Sequence, residues 1–447
     1  MFLSVIKAAC KLNIFEINFV FSSEKINLFK NLNPKQLPKK GVLIRFFVFW
    51  GKLFYYLYKL DFSKKSVVYK SDYLLFASTK NQSDMIDFIS KKINDVIFLG
   101  QRNNGSIQVK LFYAYLIAIP FFPIVFYRYI KAQNYNKKSF SYCFDIYWCI
   151  YGLYILHRIN LKKINPNVVI IANDHSYENT VLKKAAKDAG IKTVYIQHAS
   201  VSLKFPPMDF DFALLDGFDA LEKYSQCGIR NTKIFLCGIS KFDNLIDKVN
   251  RNNKIQRVGV CFNDGDKQDV IEQMIGTLIL EFPDIKFVIR PHPSDVRGNY
   301  FKEYAISKKL DFSNSKQEKV IEFLSNVDAI IAGESNIHLE AILLNVYPFY
   351  FRDQIKDNYA FIKNNVIESY ATNLPDLINH INKIKNNKPY VRAKGKFYSS
   401  TIDTKYDNKS QDLIVNLLKQ ISAEKIDFSI WEENNTYSNF TAYQLKL

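Results

Sequence analysis

The chain has 447 residues, enough for two domains that each bury a core, and its hydrophobic (48%) and charged (23%) fractions are those of a globular protein. An excess of 61 Lys and Arg over 43 Asp and Glu leaves a formal charge of +18, which points to an anionic partner: a nucleotide-linked donor, an acidic lipid surface or a nucleic acid. There is no aromatic RNA-binding run and no zinc-finger spacing, so nucleic acid ranks last.

Aromatic residues crowd the first 160 positions. Residues 42–60 read VLIRFFVFWGKLFYYLYKL, and 111–127 read LFYAYLIAIPFFPIVFY between Lys110 and Arg128. The second run is at the lower limit for a membrane span and contains Pro120 and Pro123. It reads as a buried helix pair or as a segment bedded in the cytoplasmic leaflet, ahead of a true span. Residues 66–78 and 95–99 are predicted strands around a helix at 82–93, and 110–160 are predicted mostly helical.

From 167 on, short apolar runs alternate with amphipathic helices. Strands are predicted at 167–172, 192–197, 212–215 and 233–237, with helices at 179–189 and 219–227. A polar stretch, 247–257 (DKVNRNNKIQR), is the expected linker. A second series follows, with strands at 258–262, 286–290, 329–332 and 347–351 and helices at 270–281, 320–325 and 337–344. Such alternation predicts parallel, doubly wound sheets. The expected division is 1–246, 258–425 and a tail from 426, with an amphipathic helix after Gln411.

Two loops of the second series carry chemistry. The strand 286–290 ends in Arg290-Pro291-His292-Pro293, and the strand 329–332 ends in Gly333-Glu334-Ser335-Asn336, followed by Glu340 and Ala341. Carboxyl ends of neighbouring parallel strands are where open α/β sheets bind ligands. Arg290 and His292 supply donors to a phosphate, and Ser335 and Asn336 open a helix. Each also has a plain structural role: a loop His satisfying a carbonyl, a Ser capping a helix, a Glu on a solvated face. Asn263-Asp264-Gly265 closes the first strand of the series, where Asp264 and Gly265 lie over a donor phosphate or simply make a turn.

The Arg-x-His-Pro loop, the Gly-Glu-Ser loop and the spacing of Glu340, Ala341 and Pro348 resemble bacterial GT-B-fold glycosyltransferases. The likeness is to capsule and surface-polysaccharide enzymes, including polysialyltransferases and CDP-glycerol glycerophosphotransferases, and it is best from Asn167 on. It implies two Rossmann-like domains facing a cleft, with an aromatic-rich helical insertion in the first. It further implies an acceptor on the first domain, a nucleotide donor on the second, and a carboxylate at Glu340 that grips the ribose hydroxyls. Polysialyltransferases use an acidic-acidic-Gly motif to activate the acceptor. Asn263-Asp264-Gly265 departs from it by an Asn at the first position.

In the first series, Asn173-Asp174-His175-Ser176 and Gln197-His198-Ala199-Ser200 close successive strands. A transferase needs a base for the acceptor hydroxyl, and Asp174, His175 and His198 are the candidates, Asp174 first. Helix capping and loop hydrogen bonding are their structural alternatives.

Other chemistries lack their motifs: there is no GxxxxGK[ST], GxSxG, HExxH or GxGxxG, and Asp209-Phe210-Asp211 precedes its strand. The cysteines Cys10, Cys143, Cys149, Cys227, Cys237 and Cys261 form no CxxC pair, so neither a disulfide frame nor a zinc site is expected. Lys7 and Lys11 interrupt any signal-peptide core. The expectation is a metal- and cofactor-independent glycosyltransferase, cytoplasmic and peripheral at the inner membrane face, joining a nucleotide-activated donor to a glycan or lipid-linked acceptor. The alternatives are a CDP-glycerol glycerophosphotransferase, a nucleotide-sugar 2-epimerase and a non-enzymatic capsule assembly protein.

Overall fold

The computed structural model describes residues 2–26, 41–60, 69–100, 107–243, 245–355, 357–434, 436–437 and 440–446. In chain order the strands are β1 (Tyr73–Ala77), β2 (Val96–Gly100), β3 (Ile107–Gln108), β4 (Val168–Ile171), β5 (Lys192–Ile196), β6 (Phe212–Leu215) and β7 (Lys233–Leu236). Then come β8 (Arg257–Phe262), β9 (Lys286–Pro291), β10 (Asp311–Phe312), β11 (Ala329–Ala332), β12 (Tyr347–Phe351), β13 (Ser369–Ala371), β14 (Trp431–Glu433) and β15 (Thr441–Leu445). Two compact units hold them: Met1–Cys237 with Gln411–Leu447, and Gly238–Ser410.

Both units are Rossmann-like, giving an α/β architecture of the GT-B type. The first sheet has the order β14-β15-β7-β6-β5-β4-β1-β2-β3 and the second β10-β9-β8-β11-β12-β13. Every pairing is parallel except β14 with β15. In each sheet the strand order reverses between two neighbours, β1 and β4 in the first and β8 and β11 in the second. A crevice opens at the carboxyl ends of such a pair. The strands β4, β6 and β11 are buried along most or all of their length, as continuous apolar runs with helices on both faces require.

The aromatic-rich helical insertion is present. The helix Asn134–Ile164 runs through the first unit's core, and Gly41–Tyr58 and Leu111–Ala118 pack on it. Contact is close enough for the Trp148 indole to donate to the Ala118 carbonyl at 2.7 Å, while Phe49 stacks on the Trp148 ring at 3.7 Å. Gly152 makes the approach possible, because a Cβ there would overlap the Ala114 carbonyl. Asp145 is fully buried in this layer and is neutralised by Lys52 at 2.6 Å and Arg45 at 3.5 Å.

Two expected boundaries differ. The polar stretch 247–257 is no linker but part of the second unit. Asp328 accepts from Asn250 and Asn252 side chains (2.9 and 2.7 Å) and from the Gln256 and Arg257 amides (2.9 and 3.0 Å). The chain changes unit at Cys237–Gly238 instead; Gly238 has φ +78°, and a Cβ there would collide with the Thr401 hydroxyl. The segment from Gln411 on belongs to the first unit. Its helix Ser410–Ser422 is followed by β15, which extends the sheet beside β7, with Tyr443 stacked on Phe235 at 4.8 Å. The predicted strand at 66–78 is found as β1; residues 66–68 lie outside the described ones.

Candidate functional site

In the second unit the reversal point lies between the ends of β8 and β11. The loop after β8 is self-braced: the Asn263 side chain accepts from the Gly265 amide at 2.8 Å, and Asp266 accepts from the Asn263 amide at 2.9 Å. Gly265 also meets Arg352, whose guanidinium reaches its carbonyl at 3.4 Å. Asp264, beside it, is exposed. A cavity of about 320 Å³ opens here, lined by Phe262, Gly265, Asp266, Met274, Gly333 and Arg352 among others. Its lining joins apolar side chains such as Phe262, Ile271 and Met274 to the charged Asp266, Lys267 and Arg352, the usual build of a small-ligand pocket.

His292 follows β9 in an exposed loop. Its backbone amide bonds the Phe262 carbonyl at 2.8 Å, which ties the loop to the end of β8. Nδ1 accepts from the Ser294 amide at 3.2 Å and lies 2.7 Å from its hydroxyl. A neutral ring whose Nδ1 accepts keeps its proton on Nε2, so His292 presents a donor outward.

Arg290 does not. It is buried, with its guanidinium bonded to the Ser313 hydroxyl, to the Glu318 carbonyl at 3.0 Å and to the Glu318 carboxylate at 3.4 Å, and stacked over Phe323 at 4.7 Å. It fastens the β9–β10 edge and offers nothing to a phosphate. Burial even lowers its pKa, against the pull of neighbouring Cys261 and Glu318.

The cation that joins the loops is Arg297, which the sequence reading missed. It donates to the Asn263 and Asp266 carbonyls at 2.7 and 2.8 Å and to Asp295 through Nη2 at 2.7 Å and Nε at 3.0 Å. Burial opposes charge on Asp295, but the bonds from Arg297 outweigh it and hold the carboxyl below its ordinary range. The Asp-x-Arg spacing two residues past His292-Pro293 was the signal available.

Ser335 and Asn336 precede the helix Ile337–Leu343, seven residues long. The Ser335 hydroxyl accepts from the Ile337 amide at 3.4 Å, so it acts as a weak cap. Glu340 is no solvated face residue: it is half-buried and paired with Lys241 at 2.8 Å.

In the first unit, Asp174, His175 and His198 do come together at the adjacent ends of β4 and β5. Asp174 is buried, and both its oxygens are engaged. Oδ2 accepts from the Tyr224 hydroxyl at 2.7 Å, and Oδ1 lies 2.8 Å from Nδ1 of His175. A proton on His175 Nδ1 leaves the lone pair on Nε2, which the Asn173 amide nitrogen approaches at 3.2 Å. The His175 side chain is 26% exposed against 2% for Asp174. His175 is therefore the more exposed of the two, and Asp174, first among the candidate bases, lies behind it with both oxygens bonded. The His198 ring lies 6.3 Å from that of His175. Burial, then the neighbouring His175, lowers its pKa and keeps it neutral. Beside this pair, at the end of β1, Ser78 and Gln82 bond the fully buried Asn179 at 3.1 and 3.3 Å. Among the described residues no group of three or more His, Cys, Asp or Glu is placed to hold a metal ion.

No family model matches the chain, and no curated protein matches it in sequence. Solved structures match in fold. A protein of Listeria monocytogenes described as a UDP-N-acetylglucosamine 2-epimerase aligns with TM-score 0.52 at 11% identity, over 80% of this chain and 98% of its own. The UDP-GlcNAc 2-epimerase of Neisseria meningitidis, solved with UDP-GlcNAc, aligns with TM-score 0.52 at 13% identity, over 78% and 99%. The wall teichoic acid polymerase TagF aligns with TM-score 0.49 at 11% identity, over 86% and 98%. At these identities the likeness is one of fold.

Proposed function

We propose that the protein is a glycosyltransferase that moves a sugar from a nucleotide-activated donor to a hydroxyl of a surface-glycan acceptor. The donor phosphates are assigned to the second unit, at His292 and the loop that Arg297 clamps, with Glu340 and the Ser335-Asn336 turn beside them. The base is assigned to the first unit. The observation that carries the reading is the Asp174–His175 pair: a buried, fully bonded carboxylate that fixes the tautomer of a partly exposed imidazole at a strand end. In the reaction Nε2 takes the acceptor proton, displacing its contact with Asn173. The acceptor oxygen bonds the anomeric carbon, and the bond from that carbon to phosphate oxygen breaks. The nucleotide leaves with that electron pair.

A thermal-shift series with CMP, CDP, UDP and GDP tests the donor assignment. Ligand at a hundredfold excess over its Kd adds about 2.7 kcal/mol to the state that binds it. No shift with any of the four overturns the nucleotide reading.

One observation favours a second reading: the similar structures include a 2-epimerase solved with UDP-GlcNAc. Incubation with UDP-GlcNAc in deuterated buffer without acceptor separates the two. An epimerase exchanges the proton on C2 of the sugar; a transferase leaves it in place.

A further inference from the structure

We propose that the outer faces of the helices Gly41–Tyr58 and 111–131 form one docking surface for an anionic lipid bilayer, on which the protein lies without spanning it. The two helices touch each other, with Phe46 against Phe122 at 5.4 Å and Tyr56 against Tyr115 at 5.5 Å, and both pack on Asn134–Ile164. The sides they turn away from that helix are therefore the outer wall of this layer.

A helix on a water-facing surface turns polar residues outward. Here the pattern is reversed. Gly41–Tyr58 buries Arg45, Phe49 and Leu53 and exposes Leu43, Phe47, Phe54 and Tyr58, with Phe47 and Phe54 each 62% exposed. Its partner buries Ala114, Ala118 and Val125 and exposes Tyr113, Leu116, Phe126 and Ile130. An exposed apolar face shared by two touching helices marks an interaction site.

Charge selects the occupant. Residues 41–60 and 107–144 contain no Asp or Glu, and the first acid after the second stretch, Asp145, is buried and neutralised from within by Lys52 and Arg45. Each outer face ends in a Lys laid over a Tyr ring: Lys59 on Tyr55 at 4.6 Å and Lys131 on Tyr127 at 6.0 Å. Tyrosines with amphipathic lysines at the rim of an apolar face suit the headgroup boundary, where basic groups are drawn to acidic lipid. A second copy of the chain would instead set like charge against like charge.

Length and composition alone would let 111–131 cross a membrane, and only 28% of its most apolar window is buried. Its inner side excludes that. The Ala118 carbonyl takes the Trp148 indole, Phe121 stacks on Tyr151 at 5.2 Å, and the helix breaks into a tight turn at Ile119–Phe121. One face is built into the first unit's core, so only the other is free to enter lipid, as in an interfacial helix.

The test is co-sedimentation of the full chain with phosphatidylcholine vesicles, with and without phosphatidylglycerol, at low and high salt. The surface predicts binding to the anionic vesicles that weakens as salt rises. Phe54→Glu/Ile130→Glu should lower that binding by about tenfold or more, since both side chains would enter the boundary as charges. Both are exposed, so the melting midpoint should hold; Phe47→Ser/Phe54→Ser repeats the test if it does not. Three results each overturn the proposal. They are no binding at low salt, binding that the substitutions leave unchanged, and a stable dimer that the same substitutions convert to monomer. A fourth, retention through high salt and alkaline carbonate with release only by detergent, overturns it in favour of a span.

Discussion

Oδ1 of Asp174 lies 2.8 Å from Nδ1 of His175, and the other oxygen of that carboxylate takes the hydroxyl of Tyr224, fifty residues later, at 2.7 Å. The carboxylate thus has no free oxygen, and its effect on a substrate passes through the imidazole. His175→Ala is expected to lower turnover about 10²–10⁴-fold with nucleotide affinity retained. Asp174→Asn should lower it too, and the double variant should be no slower than His175→Ala, because groups acting as one unit do not add. Full additivity in the double variant would show that Asp174 acts alone.

His292→Ala removes the one imidazole at the β9 loop whose Nε2–H points outward. Loss of a hydrogen bond to a charged phosphate costs about 1.5–3 kcal/mol, so nucleotide affinity should fall about tenfold or more. Ser335→Ala should cost less, since that hydroxyl already serves Ile337 at 3.4 Å. Calorimetric titration measures both; an unchanged Kd in a folded His292→Ala variant removes that residue from the donor site.

Arg297→Ala should be worse for the fold than for any direct contact. It leaves the Asp295 side chain, 0% exposed, with only the backbone amide of residue 297 as a donor and frees the loops after β8 and β9 from each other. Breaking a buried ion pair by removing one partner costs about 3–5 kcal/mol. A lower urea midpoint together with weaker nucleotide binding is expected; full stability in the variant would show that the clamp is dispensable.

The sheets were legible because buried parallel strands are written as apolar runs. The strand at 212–215 coincides with β6, and 329–332 and 347–351 coincide with β11 and β12. Short edge strands carry no such run: β10 has two residues, and β14 reads Trp-Glu-Glu. Loop positions were legible for the same reason that strand ends were, and Asp174, His175, His198 and His292 do stand at strand ends. What one-dimensional spacing could not show is where a side chain turns. Arg290 lies on β9 in the right place for a phosphate, yet Glu318 and Phe323 capture it. Asp174 looked like a base because nothing in the sequence announces Tyr224.

Acid should weaken both units through buried histidines. Burial pushes His157 in the first unit down to about 3 and His338 in the second down to about 4. Each stays neutral when folded, while the unfolded chain takes up a proton near 6.5. Their contribution is fully present above about 6.5 and is lost as pH falls toward those folded values, by about 1.4 kcal/mol per pH unit for each at its steepest. Among the described residues neither ring nitrogen of His157 has a hydrogen-bond partner, so His157→Leu gives up no bond there and should flatten the acid slope. Urea midpoints followed across that range would show it, and an unchanged slope would remove His157 as a cause.

Gly152→Ala should destabilise the first unit although it adds a single carbon. The position is buried in Asn134–Ile164, where a Cβ would overlap the Ala114 carbonyl and fall 2.7 Å from the Ala118 amide nitrogen. Both obstacles are backbone, so relief requires the helix Leu111–Ala118 to move away as a body. That would stretch the Trp148 bond to Ala118 and loosen the stack of Phe49 on Trp148. Overpacking of this kind typically costs about 1–3 kcal/mol, which outweighs the better helix propensity of Ala, about 1 kcal/mol. The expected result is a lower unfolding midpoint and a changed Trp148 emission with the second unit's nucleotide affinity intact. A midpoint equal to or above that of the parent chain would mean that the two helices are not held this close.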